Sequence, residues 1–109
     1  MKTFFYILLL LVLPLTAQAQ DITQTLKGTI YDQNTHEPLI GATVVVQNSD
    51  PVIGTTTDEN GHFTLPNLRL GRVSLEVSYI GYDSRTIPEI LITSAKEVVL
   101  SIALREAFT

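Results

Sequence analysis

The 109-residue sequence contains no cysteine. This excludes disulfide bonds and thiolate metal ligands, so a domain of this size has to be stabilised by packing, either internally or against another domain. Positive charge is also scarce, because seven lysines and arginines face eleven aspartates and glutamates, for a formal net charge of −4. With this balance and no basic run, the sequence lacks the positive surface on which nucleic-acid binding depends.

Apolar residues form a long run only near the N-terminus. Lys2 precedes an uninterrupted apolar run at residues 4–13, Pro14 follows it, and Ala17-Gln18-Ala19 has the small-x-small pattern of a signal peptidase site. The run is shorter than the roughly 20 residues that a transmembrane helix needs. The pattern therefore indicates a secretory signal peptide.

The predicted signal peptide divides the chain into two parts. We expect residues 1–19 to form the signal peptide and residues 20–109 to form one mature domain. Cleavage is expected to be directed by Ala17, Ala19 and Gln20. Because the signal carries a single lysine and no other charge, its removal changes the net charge from −4 to −5.

Beyond the signal, apolar residues recur at every second position, which is the period of a half-buried β-strand. We predict seven short strands, at residues 26–31, 42–46, 54–57, 62–65, 73–79, 83–87 and 98–105. The β-branched run at 42–46 is expected to be buried on both faces. The residues expected in the core are Ile30, Val44, Val46, Phe63, Leu75, Val77 and Leu100. Seven short strands separated by turns predict an all-β sandwich or barrel.

Turn residues lie between the predicted strands. The segment Asp58–Gly61 is predicted to form a hairpin turn in which Asn60 and Gly61 take positive φ. Gly41 and Gly81 are predicted to hold two further turns.

No group of residues in the sequence has the pattern of a catalytic or metal site. His36 and His62 are isolated, whereas a zinc site needs three or four converging ligands. Read as a calcium loop, the turn at Asp58 lacks the glutamate of the twelfth position, which is Asn67. Asp58 and Glu59 are expected to be exposed and to have ordinary pKa values, and no serine lies in a nucleophile elbow. We therefore predict no catalytic residue, no metal and no cofactor.

Tyr79 and Tyr82 are the candidate binding residues. Two tyrosines near one turn could present flat rings to a glycan or peptide. Alternatively, Tyr79 lies in the core and Tyr82 packs across the turn, with its hydroxyl bonded to nearby backbone. A sandwich also exposes edge strands that can accept a partner strand.

Four motifs together resemble the carboxypeptidase-regulatory-like domain, over residues 26–104. They are Gly28-x-Ile30-x-Asp32, Pro38-Leu39-x-Gly41-Ala42-x-Val44, Gly54-Thr55-Thr56-Thr57-Asp58-x-x-Gly61-x-Phe63-x-Leu65 and Ser78-Tyr79-Ile80-Gly81-Tyr82. The resemblance implies a seven-stranded antiparallel sandwich of the transthyretin (prealbumin) type. In Bacteroidetes this domain is often the N-terminal extension of TonB-dependent, SusC-like outer-membrane receptors.

The resemblance therefore implies a non-enzymatic accessory or docking domain, exported to the periplasm or the periplasmic face of the outer membrane. Its expected partner is the receptor plug and barrel or another periplasmic protein, with no nucleic acid and no membrane insertion by the mature domain. The alternative is a free-standing secreted module that binds glycan or peptide through Tyr79 and Tyr82.

Two related chemistries do not match the residues of this chain. The hydrolases of the transthyretin type end in Tyr-Arg-Gly-Ser, which is absent here. Sandwiches that form isopeptide bonds need a lysine in the first strand and an asparagine in the last. Lys27 could serve as the lysine, but residues 97–104 contain no asparagine.

Overall fold

A computed structural model describes residues 22–107, and this range folds into seven β-strands. The strands are β1 (Thr23–Asp32), β2 (Thr43–Val46), β3 (Gly54–Thr56), β4 (His62–Arg69), β5 (Gly71–Ser78), β6 (Arg85–Ile92) and β7 (Val98–Leu104). The all-β prediction with seven strands is confirmed. Over residues 22–107, no helix has the length and hydropathy to cross a membrane. The predicted signal peptide, with Ala17, Ala19 and Gln20, lies outside the described residues.

The strands form two sheets, one in the order β4-β1-β7 and the other in the order β3-β2-β5-β6. The predicted antiparallel arrangement is wrong for one pair. β1 and β7 run parallel, from Leu26 opposite Val98 to Asp32 opposite Leu104, whereas the other pairs are antiparallel. Period-two patterning carries no information about strand direction, and no short turn links the first strand to the last.

The two sheets enclose one hydrophobic core. In β1 burial alternates, so that Leu26 and Ile30 are inaccessible to solvent while Lys27 and Thr29 are partly exposed. Of the residues expected in the core, Ile30, Val44, Val46, Phe63, Leu75 and Val77 are buried. Leu100 packs against the core but is only partly buried, because β7 is an edge strand.

The structure corrects three strand predictions. β2 is buried on one face only, since Thr43 is exposed and Val45 is partly exposed on the outer face of its sheet. β4 continues through Pro66 to Arg69, and β6 covers 85–92 rather than 83–87 and contains Pro88. Both prolines are tolerated because β4 and β6 are edge strands, in which one row of backbone groups has no partner strand.

The turn at Asp58–Gly61 does not form a hairpin. It links β3 of one sheet to β4 of the other, with the Gly61 N–H bonded to the Asp58 carbonyl (2.9 Å). Gly61 has a φ of +74°, whereas Asn60 is not among the residues with positive φ, so that expectation for Asn60 is wrong. The turn is a crossing between sheets, which needs one left-handed residue rather than the two of a type I′ hairpin.

Candidate functional site

Two turns of similar sequence, Ile40-Gly41 and Ile80-Gly81, lie side by side at one end of the sandwich. Thr43 of β2 lies opposite Ser78 of β5, and this pairing places the turn before β2 next to the turn after β5. Gly41 and Gly81 have φ values of +81° and +85°, a region that L-residues with a Cβ atom rarely adopt. The positions predicted to hold turns therefore do lie in turns.

A groove of about 720 Å³ lies between these turns. Its lining consists of Ile40, Gly41, Thr43, Ser78, Tyr79 and Ile80, and we refer to it as the Ile40–Ile80 groove. The exposed fraction is 95% for Ile80 and 57% for Ile40. Two large aliphatic side chains are therefore exposed beside one groove.

Thr57 fixes the backbone of the first turn, Ile40-Gly41. It is buried, and its Oγ1 donates to the Leu39 carbonyl (2.5 Å) and accepts from the Ala42 N–H (2.9 Å). Its backbone N–H and carbonyl bond to Ala42 and Gly41 in the same segment. These bonds fix the backbone on both sides of Ile40. Sequence reasoning did not single out Thr57, although it lies in the Thr-rich motif.

Tyr82 and Asp32 connect the second turn to the end of β1. The Tyr82 hydroxyl donates a hydrogen bond to the carboxylate of Asp32, which also accepts from the N–H groups of Asn34 (2.7 Å) and Thr35 (3.0 Å). The expectation that this hydroxyl bonds nearby backbone is therefore wrong, because its partner lies 50 residues away. Sequence periodicity does not encode such a distant pairing.

These contacts shift two pKa values in opposite directions. The Tyr82 hydrogen bond, followed by the two backbone N–H groups, lowers the pKa of Asp32 below its ordinary 3.8. The same bond to a carboxylate raises the pKa of Tyr82 to about 12. The carboxylate and the neutral phenol are thus the stable forms in the fold.

Asp58 is exposed, as expected, but its pKa is not ordinary. The backbone N–H groups of His62 and Asn60 donate to its carboxylate (3.0 and 2.9 Å) and lower its pKa. Asp58 therefore stabilises the crossing turn by accepting bonds from its backbone, and it does so as an anion.

Tyr79 and Tyr82 do not form a flat platform. Their rings meet edge to face, with centroids 5.4 Å apart and planes at 64°, and both rings pack partly buried against the core. Because the Tyr82 hydroxyl is already bonded to Asp32, this pair offers a ligand little beyond the exposed part of Tyr79 in the groove.

The two histidines have different surroundings. His36 stacks on Tyr31 with ring centroids 5.6 Å apart, and His62 begins β4. Between residues 22 and 107, no three histidine, aspartate or glutamate side chains are grouped so that they could hold a metal ion. In the same range, every buried side-chain nitrogen or oxygen has a hydrogen-bond partner.

The C-terminal part of the described chain runs beside the second turn. The Ala107 N–H donates to the Gly81 carbonyl (2.9 Å), and the Asp83 N–H donates to the Arg105 carbonyl (2.9 Å). Residues 105–107 are therefore held along residues 81–83. Residue 107 is thus positioned directly next to the turn that bears Ile80.

The strand order and the buried core define an all-β sandwich of the prealbumin-like class. Within this class the chain belongs to the carboxypeptidase regulatory-like domain family, whose model matches residues 25–105. The TonB-dependent receptor SusC of Bacteroides thetaiotaomicron is 41% identical over 88 residues, which cover 77% of this chain. The match covers only 8% of the length of that receptor.

Solved structures with the same fold have diverse functions. A type II cohesin–X-dockerin complex of Acetivibrio cellulolyticus matches with a TM-score of 0.63 and 23% identity, over 74% of this chain and 56% of that chain. The 3-chlorocatechol 1,2-dioxygenase of Rhodococcus opacus matches with a TM-score of 0.63 and 14% identity, over 86% and 63%. The major pilin subunit of Bacillus cereus matches with a TM-score of 0.59 and 16% identity, over 78% and 30%. Fold alone therefore does not determine function here.

Proposed function

We propose that this chain is a non-enzymatic accessory domain of a TonB-dependent outer-membrane nutrient receptor and that it acts by docking on the periplasmic side. The observation that carries the proposal is the 41% identity to SusC over the matched 88 residues. The predicted signal peptide at residues 1–19 agrees with export, and the mature domain would occupy 20–109.

The lining of the Ile40–Ile80 groove supports docking rather than catalysis. It contains two isoleucines, a glycine, a threonine, a serine and Tyr79, so it has no carboxylate, imidazole or amine to transfer protons. Burying a large aliphatic side chain is favourable by about 1.5–3 kcal/mol. Thr57 and Tyr82 already fix the backbone of the two turns. Binding in the groove would therefore lose little further conformational entropy of the backbone.

The occupant we propose for the groove is the remainder of the same receptor chain. Residue 107 is bonded beside Gly81, so a chain that continues from there starts next to Ile80. The SusC relative is far longer than the matched region, which leaves ample chain to reach back to the groove. The short connection would give this contact a high effective concentration.

The test requires the complete reading frame from the source DNA, sequenced through and beyond the codon for Thr109. In that receptor, a photo-crosslinking residue at position 80 should form an intramolecular crosslink to the plug or barrel. The matched control is position 52, since Val52 is also apolar and 75% exposed but does not line the groove. Equal crosslinking from both positions, or a stop codon after Thr109, would refute the proposal.

Glycan or peptide binding through Tyr79 and Tyr82 stays a prediction. The edge-to-face packing of the two rings offers no flat surface for a sugar. A titration of the chain against a panel of glycans tests this alternative, and saturable binding that is lost in Tyr79→Ala would revive it.

A further inference from the structure

The four asparagines of the chain differ in the residue that follows them. Asn34, Asn48 and Asn67 precede threonine, serine and leucine, whereas Asn60 precedes Gly61. All four asparagines are exposed, so exposure does not distinguish them. Asparagine is among the chemically labile residues, and a following glycine has no Cβ atom to obstruct the attack of its backbone nitrogen on the asparagine side chain. Local sequence therefore makes Asn60 the most reactive of the four.

The reaction of such a pair is deamidation through a succinimide ring. A base removes the proton of the Gly61 N–H, and the nitrogen attacks the side-chain carbonyl carbon (Cγ) of Asn60. A new N–C bond forms, the bond from Cγ to the side-chain nitrogen breaks, and that nitrogen takes up a proton and leaves as ammonia. Water then opens the ring at either carbonyl. The net change converts an amide and water into a carboxylic acid and ammonia, without an oxidant or other co-reactant.

The turn at Asp58–Gly61 restrains the attacking nitrogen. The Gly61 N–H donates to the Asp58 carbonyl (2.9 Å). The Asp58 carboxylate accepts from the N–H groups of His62 (3.0 Å) and Asn60 (2.9 Å), which flank Gly61 on both sides. These two bonds lower the pKa of Asp58, so its carboxylate is ionised at neutral pH. A second negative charge on the Gly61 nitrogen is disfavoured beside this anion, and deprotonation would also remove the hydrogen bond of that nitrogen.

We propose that Asn60 is a site of spontaneous deamidation and that the turn slows the reaction until its hydrogen bonds open. The Asn60 side chain is exposed to water, whereas Gly61 is buried. In the closed turn the Gly61 nitrogen is not free to attack, so the rate follows the fraction of molecules in which the turn is open. Loss of the Asp58 side chain should increase that fraction, because it removes the bonds on both sides of Gly61.

One of the two products does not fit the turn. When the ring opens at the former backbone carbonyl of Asn60, the product is isoaspartate, whose main chain runs through the side-chain carbons and is longer by a methylene group. Gly61 has little space to shift, because its carbonyl accepts from the Ile30 N–H (2.8 Å). A Cβ atom on Gly61 would lie 2.6 Å from the Ile30 oxygen and 2.9 Å from Pro38. Isoaspartate at position 60 should therefore destabilise the crossing from β3 to β4.

The experiment measures deamidation at each asparagine, by peptide mapping and mass spectrometry of the purified full chain kept in mildly alkaline buffer. We expect conversion at Asn60 to be at least about tenfold faster in Asp58→Ala than in the unmodified chain. The matched control is Glu59→Ala, which removes an exposed carboxylate from the same turn but none of the hydrogen bonds named above. Equal rates at Asn60 in the two variants would overturn the role proposed for the turn.

The unmodified chain gives a second readout that does not depend on a variant folding. In urea the turn opens with the rest of the fold, so Asn60 should convert at least about tenfold faster than in the native chain, and faster than Asn48. A native rate at Asn60 equal to its rate in urea would overturn the inference. Conversion in urea that is no faster at Asn60 than at Asn48 would overturn it as well.

The effect on stability is tested with Asn60→Asp, which carries the same carboxyl group on a backbone of ordinary length. We expect the purified isoaspartate form to melt at a lower temperature than Asn60→Asp. Equal melting temperatures would contradict the claim that the longer backbone disturbs the turn. This inference does not rest on the receptor proposal, and either can fail without the other.

Discussion

The two sides of the sandwich are closed in different ways. On the side we call the crossing side, the turn at residues 58–61 carries the chain directly from β3 in one sheet to β4 in the other. On the opposite side, which we call the open side, β6 and β7 belong to different sheets, and residues 81–83 pair with 105–107 at one end. The chain crosses between the sheets on both sides, at residues 57–61 and at residues 93–97, and the open side adds exposed side-chain contacts and a short backbone contact.

The crossing side leaves its residues little freedom. Gly61 bonds to Ile30 through its carbonyl (2.8 Å), and a Cβ atom at this glycine would lie 2.6 Å from the Ile30 carbonyl oxygen. On the open side, Asp83, Arg85 and Arg105 make exposed contacts that water could replace. The comparison predicts that substitutions on the crossing side cost more stability than substitutions in the exposed contacts of the open side.

The largest effect is expected for Phe63→Ala in β4, on the crossing side. Phe63 is buried, and a Cβ atom at Gly28 would lie 2.9 Å from its ring, so the ring fills the space that this glycine leaves. Loss of the ring should lower the free energy of unfolding by about 3–5 kcal/mol in a urea titration. Val52→Ala, at a residue 75% exposed, should change it by less than about 0.5 kcal/mol. Similar midpoints for both variants would contradict this core assignment.

Alanine substitutions at two glycines with similar φ should distinguish the cost of backbone strain from the cost of a steric clash. Gly81→Ala places a Cβ atom in open space at a φ of +85°, so it should cost only the left-handed strain of about 1–2 kcal/mol. Gly61→Ala adds a clash with the backbone of β1 and should cost about 2–5 kcal/mol. The readout is again the free energy of unfolding in urea. Equal costs at the two positions would show that the crossing turn can relax.

Stability is expected to depend on pH through the hydrogen bond between Tyr82 and Asp32, which links the second turn (Ile80-Gly81) to the end of β1. The pKa of Asp32 is below 3.8 in the fold, so its stabilisation is present above about pH 4 and is lost as the pH falls through the folded value. In Tyr82→Phe the main cause of this shift is gone, and the melting temperature should decrease less between neutral and acidic pH. Parallel melting curves for the two proteins would argue against this bond.

The alkaline side of the same pair can be measured directly. An ultraviolet titration should show one tyrosine with a pKa of about 12, and this transition should be absent in Tyr82→Phe. Since this pKa is raised in the fold, the neutral phenol contributes stability below pH 10 that is lost as the pH rises through about 12.

The smallest effect is expected for the ion pair between Lys27 of β1 and Glu97, which immediately precedes β7. Its atoms are 2.7 Å apart, but both side chains are 44% exposed, so solvent screens the attraction. A double-mutant cycle with Lys27→Ala and Glu97→Ala should give a coupling of about 0–1 kcal/mol, decreasing with added salt. A larger coupling would mean that the open side contributes to folding.

Much of the fold is predictable from local pattern. The alternation in Leu26–Tyr31 specified which face of β1 is buried, and Gly41, Gly61 and Gly81 marked turns because each needs a φ that other residues avoid. Strand ends were less predictable. The predicted strand at 83–87 stopped before Pro88, whereas β6 continues past it, because an edge strand does not need that N–H group.

The candidate site was predictable only in part. Tyr79 and Tyr82 were recognised as a pair, but the exposed Ile40 and Ile80 were not, since an isoleucine in a sequence normally indicates core. Thr57 was not singled out because neighbouring threonines differ only in the direction of their side chains. That direction depends on where the second sheet lies.

The sequence by itself determined that this chain forms short strands with one buried face, separated by turns at particular glycines. It did so because side-chain alternation and backbone φ are local properties. Only the tertiary structure decided that β1 pairs in parallel with β7, that β7 lies at the edge of its sheet, and that Tyr82 bonds Asp32. These pairings join residues far apart in the chain, and their partners are selected by the packing of the whole core rather than by any local pattern.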